Sequence, residues 1–137
     1  MNLTVFLNFR SERNDEGCLI WKKAHDKQGY GVTTIDGKYY AVHILAYEVW
    51  IGDIPEGFQI DHLCFIRDCI EPTHLEAVTP KENNRRKNAR ITHCPYGHEY
   101  TEDNTGMSVH KVTGVISKWC RICKRRRHKE WIESKRR

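Results

Sequence analysis

The stretch of residues 60–87, "IDHLCFIRDCIEPTHLEAVTPKENNRRK", concentrates residues that bind metal ions or transfer protons. It holds an Asp-His pair, two cysteines, a second histidine and an Asn-Asn pair. Cysteine and histidine are common zinc ligands, whereas carboxylate and amide oxygens suit harder cations such as Mg²⁺. The spacing of these residues must therefore separate structural ligands from residues that take part in chemistry.

Two close pairs of zinc-type ligands stand in the last third of the chain. Cys94 and His98 are separated by three residues, and Cys120 and Cys123 by two. Tetrahedral zinc is commonly bound by two such pairs, because each short loop directs two side chains at one ion. His93 competes with His98, although adjacent residues such as His93 and Cys94 rarely chelate together. The spacing predicts one zinc site from Cys94, His98, Cys120 and Cys123.

The remaining cysteines suggest a second zinc site. Cys64 and Cys69 flank the loop "FIRD", and His74 follows five residues after Cys69, so the three can converge on one ion. Cys18 is the cysteine left to complete a tetrahedral set. The alternative is that Cys18 is a small buried apolar residue, in which case another group such as His25 supplies the fourth bond.

With the zinc ligands assigned, Asp61, His62 and Asn83 remain. A strand, loop, strand and helix order can bring Asp61 and Asn83 together as oxygen ligands of a divalent cation such as Mg²⁺ or Mn²⁺. His62 can then act on a water molecule, since a neutral imidazole is a suitable base near physiological pH. These parts suit phosphodiester hydrolysis. Asn84 takes the place of Asn83 if the helix register shifts by one.

The string "DHLCFIRDCIEPTHLEAVTPKEN" resembles the core of an HNH endonuclease of the ββα-metal type, and the chain resembles small phage-encoded HNH endonucleases. The spacing is also similar to that of the His-Cys box homing endonucleases. In that branch the base histidine is followed at +2, +7, +12 and +21 by Cys, Cys, His and a metal-binding Asn. Those offsets from His62 fall on Cys64, Cys69, His74 and Asn83.

The resemblance implies a role for each of these residues. His62 is the general base, Asp61 and Asn83 bind the catalytic ion, and the Cys/His set binds zinc together with a cysteine like Cys18. One such site cuts one DNA strand, so nicking is expected. The sequence departs from the family pattern at Glu71, where Asn is frequent, and at Ile44, where Arg is frequent.

The elements that would position these residues follow from local signals. Residues 1–16 suggest a loose lead-in, and Asp36-Gly37 predicts the turn of a β-hairpin. A helix is expected over 43–50, strands over 58–61 and 75–78, and a helix from Pro80. A basic terminal helix follows, with a packing side expected from Trp119, Ile122, Trp131 and Ile132.

Charge is distributed unevenly along the chain. Residues 1–80 carry 7 Lys and Arg against 12 Asp and Glu, whereas residues 81–137 carry 16 against 6. A basic half of this kind is typical of proteins that bind polyanions, although two solvated helix faces would look similar. The residues expected to contact DNA are Arg85, Arg86, Lys87, Arg90, Lys124, Arg125, Arg126 and Arg127.

Taken together, the sequence predicts an α+β fold: a zinc-stapled ββα-metal (HNH) core with a zinc-binding module and basic helix after it. The expected organisation is a lead-in at 1–16, a nuclease core at 17–90 and a zinc module at 91–137. No membrane span or leader is evident, so a cytoplasmic protein with metal-bound rather than disulfide-bonded cysteines is expected. DNA is the expected partner, and phage packaging proteins are further candidates. Monomer and homodimer both stay open, and the alternative function is a non-catalytic, zinc-stapled DNA-binding or regulatory protein.

Overall fold

The computed structural model describes residues 1–137 and contains both helices and small antiparallel sheets. The chain forms two compact units, Met1–Thr79 and Pro80–Arg137. Each of its four sheets has two strands. The predicted α+β class is therefore confirmed. No helix combines the length and apolar character needed to cross a membrane.

The first unit begins with ordered structure. Helix α1 covers Leu3–Phe9, and the Asn2 side chain caps it by accepting a hydrogen bond from the backbone N–H of Val5. Strand β1, Ser11–Arg13, follows and pairs with β2, Leu19–Trp21. The expectation of a loose lead-in at residues 1–16 is wrong, because the helix buries Leu7 completely within the apolar core.

The predicted hairpin and the helix after it are confirmed. Strands β3, Val32–Ile35, and β4, Lys38–Ala41, pair in antiparallel register. Asp36 and Gly37 connect them with φ values of 48° and 79°. Two consecutive positive φ angles are typical of the type I′ turn that Asp-Gly favours. Helix α2 then covers Val42–Trp50, one residue longer at its start than predicted.

Strands β5 and β6 frame the Cys/His loop of the first unit. Strand β5 covers Gln59–His62 and β6 covers Leu75–Val78, close to the predicted bounds. A 3₁₀ turn, Pro72–His74, leads into β6. The core of this unit consists of nine buried apolar residues: Leu7, Leu19, Trp21, Val42, Leu45, Ala46, Ile60, Ile70 and Leu75.

The second unit opens with helix α3, Pro80–Arg90, which has proline at its first position as predicted. No residue of this helix is buried. It is stabilised instead at its surface, where the Glu82 carboxylate pairs with Arg85 and Arg86. Asn84 and Asn88 both donate to the backbone carbonyl of Ile116, which ties α3 to the rest of the unit.

The hairpin of the second unit was not predicted. Strands β7, Thr105–Val109, and β8, Ile116–Cys120, pair and lead directly into helix α4, Arg121–Lys135. The basic terminal helix is confirmed, but its expected packing side is wrong. Trp119 lies in β8, and Ile122 and Trp131 are 43% and 57% exposed. The buried cluster of this unit consists instead of three cysteines, against which Tyr100 packs: Cys94, Cys120 and Cys123.

Candidate active site and zinc sites

His62 ends strand β5 and is almost completely buried. Its Nε2 lies 3.1 Å from the carbonyl oxygen of Cys69. A carbonyl oxygen only accepts hydrogen bonds, so Nε2 carries the proton and neutral His62 has its lone pair on Nδ1. Burial lowers the pKa of His62, although the bond to Cys69 and the charges of Asp61 and Asp68 oppose that shift. The imidazole is therefore held as a neutral base with a defined tautomer.

A second histidine lies beside His62. His43, in the first turn of α2, has its ring centroid 4.9 Å from that of His62 and 5.2 Å from that of Tyr30. Its Nδ1 is buried without a hydrogen-bond partner. Burial, helped by the charge of His62, lowers the pKa of His43 to about 4. From the sequence, an approach of His43 to the scissile phosphate and a structural hydrogen bond both stay open, because nothing in its local context indicates a neighbour nineteen residues away.

The proposed oxygen ligands lie on two elements. Asp61 precedes His62 in β5, is buried, and is paired with Glu76 in the β5–β6 register. Asn83 lies in the first turns of α3, in the second unit, and is half-buried. Asn84, the alternative to Asn83, donates its side-chain amide to Ile116. A carboxylate and an amide oxygen are chemically suited to a hard divalent cation.

The first Cys/His cluster brings together the four predicted ligands, whose donor atoms all lie within 4.8 Å of one another: Cys18, Cys64, Cys69 and His74. The Nδ1 atom of His74 is 3.4 Å from the Sγ of Cys18 and 3.6 Å from that of Cys69. The alternative ligand His25 has its Nε2 3.2 Å from the Asp68 carboxylate instead. Cys18 is therefore placed with the cluster and not simply in the apolar core.

Backbone hydrogen bonds explain how this cluster forms. The N–H of Trp21 donates to the carbonyl of Asp68, and the N–H of Ile70 donates to the carbonyl of Leu19. The end of the cysteine loop therefore runs beside β2, next to Cys18. The N–H of Leu63 donates to the carbonyl of His74, which closes the loop at its base.

The departure from the family pattern at Glu71 has a local partner. Its carboxylate pairs with Arg13 at 2.8 Å, and the 3₁₀ turn that carries His74 begins directly after it. Ile44, the other departure, is exposed on α2.

The second Cys/His cluster also unites its four predicted ligands: Cys94, His98, Cys120 and Cys123. A tight turn with Gly97 at φ 84° brings Cys94 and His98 together. Cys120 ends β8 and Cys123 lies in the first turn of α4. His93 is exposed and contacts Thr92, so His98 is the histidine of the cluster.

Asn104 supports this second cluster and was missed by sequence reasoning. Its side chain is buried, accepts a hydrogen bond from the Ile122 backbone N–H and donates to the carbonyl of Glu99. It also lies 3.4 Å from the Cys120 sulfur. The side chain therefore fixes the start of α4 beside the cysteines. No local signal could identify it, because its partners are spread over more than twenty residues.

Both clusters have dimensions that suit zinc. Ligand bonds of about 2.3 Å for sulfur and 2.0–2.1 Å for nitrogen imply tetrahedral edges of about 3.5 Å between sulfur and nitrogen and about 3.8 Å between sulfurs. In the second cluster, Cys94 Sγ lies 3.4 Å from His98 Nδ1 and 3.8 Å from Cys123 Sγ. The donor sets, Cys₃His in each case, are typical of structural zinc sites.

The predicted DNA-contacting residues are all in the second unit and differ in their surroundings. Arg85 and Arg86 share the Glu82 carboxylate, and their hydrogen bonds lower the pKa of Glu82 to about 2. Lys124 lies over the Trp119 ring, and Arg126 lies over Tyr96 and near Glu130. The remaining members of the set, Lys87, Arg90, Arg125 and Arg127, are exposed. The surface is cationic, and Glu82 partly neutralises α3.

Comparison with known proteins bears on the residues of the candidate active site. Residues 40–85 match the HNH endonuclease family. The HNH resemblance predicted from the sequence is therefore confirmed for a segment that contains His43, Asp61, His62 and Asn83. This HNH segment extends across the boundary between the two compact units.

Phage proteins are similar to the chain over about half its length. Protein 7.7 of Escherichia phage T7 is 33% identical over 69 residues, which cover 50% of this chain and 53% of the relative. The uncharacterized gene 5.3 protein of Enterobacteria phage T3 is 26% identical over 72 residues, covering 53% and 65%. Protein 2.8 of Escherichia phage T7 is 31% identical over 77 residues, covering 55% and 52%.

The chain thus spans about half to two thirds of the length of these curated relatives, whose names state no activity. No solved structure matches the chain at a significant level.

Proposed function

We propose that the protein is a metal-dependent endonuclease that hydrolyses DNA phosphodiester bonds, with His62 as general base. The observation that supports this most is the hydrogen bond between His62 Nε2 and the Cys69 carbonyl within the HNH segment. It leaves Nδ1 as the acceptor that a base needs. A structural histidine with both nitrogens engaged would lack that acceptor.

Each residue of the candidate active site has its own role in the proposed hydrolysis. The Cys69 carbonyl fixes the ring of His62, and Nδ1 takes a proton from the attacking water. His43 and Tyr30 lie against this ring and shield it from solvent. The oxygens of Asp61 and Asn83 are the proposed ligands of a divalent cation, Mg²⁺ or Mn²⁺. When bound, that cation supplies positive charge at the scissile phosphate and the leaving oxygen.

The first zinc cluster supports catalysis indirectly in this proposal. Cys69 contributes its sulfur to the cluster and its carbonyl to His62. A zinc ion at this cluster would therefore hold the acceptor that sets the tautomer of the base.

One base of this kind cuts one strand, so the expected product of a monomer is a nick, and double-strand cleavage requires a dimer or two binding events. Phage packaging proteins stay candidate partners, and a cytoplasmic location in a host cell stays a prediction.

The test is conversion of supercoiled plasmid to nicked circles by zinc-loaded protein, with Mg²⁺ or Mn²⁺ added or omitted. Omission is preferable to a chelator, because a chelator would also remove structural zinc. Nicking should depend on the added cation. His62→Ala should lower the rate by a factor of about 10² or more, since loss of a general base typically costs about 10²–10⁴.

A matched control is His25→Ala. This histidine lies in the same unit, pairs with Asp68 and is not one of the four donors of the first cluster. Its variant should nick at the unmodified rate, and both variants should keep two zinc ions per chain. Unchanged nicking by His62→Ala, at full zinc content, would exclude His62 as the base.

The second candidate is a zinc-stapled DNA-binding protein without catalysis. It is favoured by the two Cys₃His clusters and the basic second unit, which need no chemistry to explain them. DNA binding without cation-dependent nicking would support this function instead.

A further inference from the structure

The second unit contains a groove of about 930 Å³ along helix α4. The helix contributes Arg121, Arg125, Lys129 and Ile132, which recur every three or four residues and so share one face. Trp119 of β8 also lines the groove. The groove therefore combines one aromatic ring with a row of cations that extends from Arg121 to Lys129, along about 12 Å of helix.

The Trp119 indole is held in place by its own hairpin. Gly106 is its direct cross-strand partner, and a Cβ atom added to Gly106 would lie 2.1 Å from Cε2 of the indole. The ring therefore packs against bare backbone, which only glycine permits at this position. The ring is only partly buried, and it lines the groove. An aromatic ring fixed in this way can serve as a stacking surface.

The charge of the groove selects an anionic occupant. Five Lys and Arg side chains line it against two carboxylates, Asp103 and Glu133. The Lys124 ammonium lies 4.3 Å from the centroid of the Trp119 ring, so cation and ring are adjacent. Stacking rings interleaved with cations are characteristic of surfaces that bind single-stranded nucleic acid. A duplex offers its phosphates but keeps the faces of its bases within the stack.

We propose that this groove binds single-stranded DNA, with an unpaired base stacked on Trp119 and the neighbouring phosphates on the cations of α4. The choice of DNA rests on the proposed function, and the groove adds a preference for substrates with an unpaired strand. It also gives Trp119 a role other than the packing that sequence reasoning assigned to it.

The test compares three fluorescent ligands of equal length by anisotropy: an oligothymidylate, an abasic strand with the same phosphates and a duplex. Full-length, zinc-loaded protein carrying His62→Ala is used without added Mg²⁺ or Mn²⁺, so that no ligand is cut. The oligothymidylate should bind about tenfold more tightly than the abasic strand, as expected for one stacked base. Equal binding of these two strands would overturn the proposal.

Trp119→Leu should remove the difference between the two strands, whereas Trp119→Phe should keep part of it. The matched control is Trp131→Leu, which removes an exposed tryptophan of α4 that does not line the groove. Lys124→Gln should weaken the binding of all three ligands by a similar factor. Zinc content reports folding. If Trp119→Leu lacks zinc, photocrosslinking of a 5-iodouracil strand to the unmodified ring decides: a crosslink at Trp119 supports the proposal, and one at Trp131 alone opposes it.

Competition with polyglutamate separates nucleic acid from acidic peptide. Displacement of the oligothymidylate at equal charge concentration would contradict the proposal, and failure to displace it supports stacking. The outcome is distinguishable from that of the proposed function, because binding is measured without cleavage. Plasmid nicking without base-dependent binding would exclude the proposed role of the groove and leave the nuclease proposal standing. Base-dependent binding without nicking would exclude the nuclease proposal and leave the role of the groove standing.

Discussion

At the scale of single residues, His43 is the buried group whose protonation the fold resists most clearly. Its ring lies beside those of His62 of β5 and Tyr30, and the carboxylate that acts on it is Asp26, before β3. Burial and His62 disfavour the charged form and Asp26 favours it, with a net pKa of about 4. Between this value and the unfolded pKa of about 6.5, the unfolded chain binds a proton that the folded chain does not.

The first unit should therefore lose stability as pH falls below about 6.5, with His43 contributing up to about 1.4 kcal/mol per pH unit until about pH 4. In His43→Leu, which has no titrating ring and leaves no polar atom unpaired, the pH slope of the unfolding free energy should be shallower. Urea titrations of both proteins between pH 7.5 and 5.5 provide the measurement. The zinc ligands are the same in the two proteins, so parallel slopes would show that His43 is already protonated in the folded state.

At the scale of elements, helix α1 shows that the first residues belong to the fold. Leu7 is completely buried among the core residues, and Phe6 lies 6.1 Å from the Trp21 ring. Leu7→Ala should lower the unfolding free energy of the first unit by about 2–5 kcal/mol, as is typical for a buried leucine. The measurement is urea unfolding followed by tryptophan fluorescence.

The control for this substitution lies on the same helix. Val5 is 61% exposed, and Val5→Ala should change stability by no more than about 0.5 kcal/mol. If Leu7→Ala is equally mild, α1 does not pack on the core.

The elements that sequence reasoning predicted are those with local signals. Asp36-Gly37 specified a hairpin, and Pro80 marked the start of α3, because turn and cap preferences act over a few residues. The β7–β8 hairpin was missed, since only half of its strand residues are hydrophobic and its end at Cys120 belongs to a cluster whose other donors lie outside the hairpin. Helix α1 was missed because the burial of Leu7, which holds the helix on the core, depends on partners such as Trp21 that are distant in sequence.

The difference between local signals and distant partners also decides which residues of the candidate sites could be predicted. Short spacings predicted all four donors of the second Cys/His cluster and three donors of the first, whereas Cys18 was assigned as the one cysteine left over, with His25 as the alternative. Asn104 was not found and the role of His43 stayed open, because only tertiary structure brings His43 to His62 and Asn104 to the start of α4.

At the scale of the whole molecule, the two units differ in what holds them together. The first has a core cluster of nine buried apolar residues in addition to its Cys/His cluster. The second buries three cysteines and little else of apolar character. Binding of structural zinc supplies about 10–16 kcal/mol in small domains that lack a core. The second unit should therefore depend on its metal for folding, and the first unit much less.

Cys123→Ser and Cys64→Ser make this difference measurable, because each removes one sulfur from one cluster. Both should lower the zinc content from two ions per chain to one. Hydrogen exchange should show that Cys123→Ser exposes the amides of β7 and β8 while unit Met1–Thr79 keeps its protection. In Cys64→Ser, the β3–β4 hairpin and α2 should stay protected by the apolar core. Protected β7 and β8 amides in Cys123→Ser would mean that packing, rather than metal, holds the second unit.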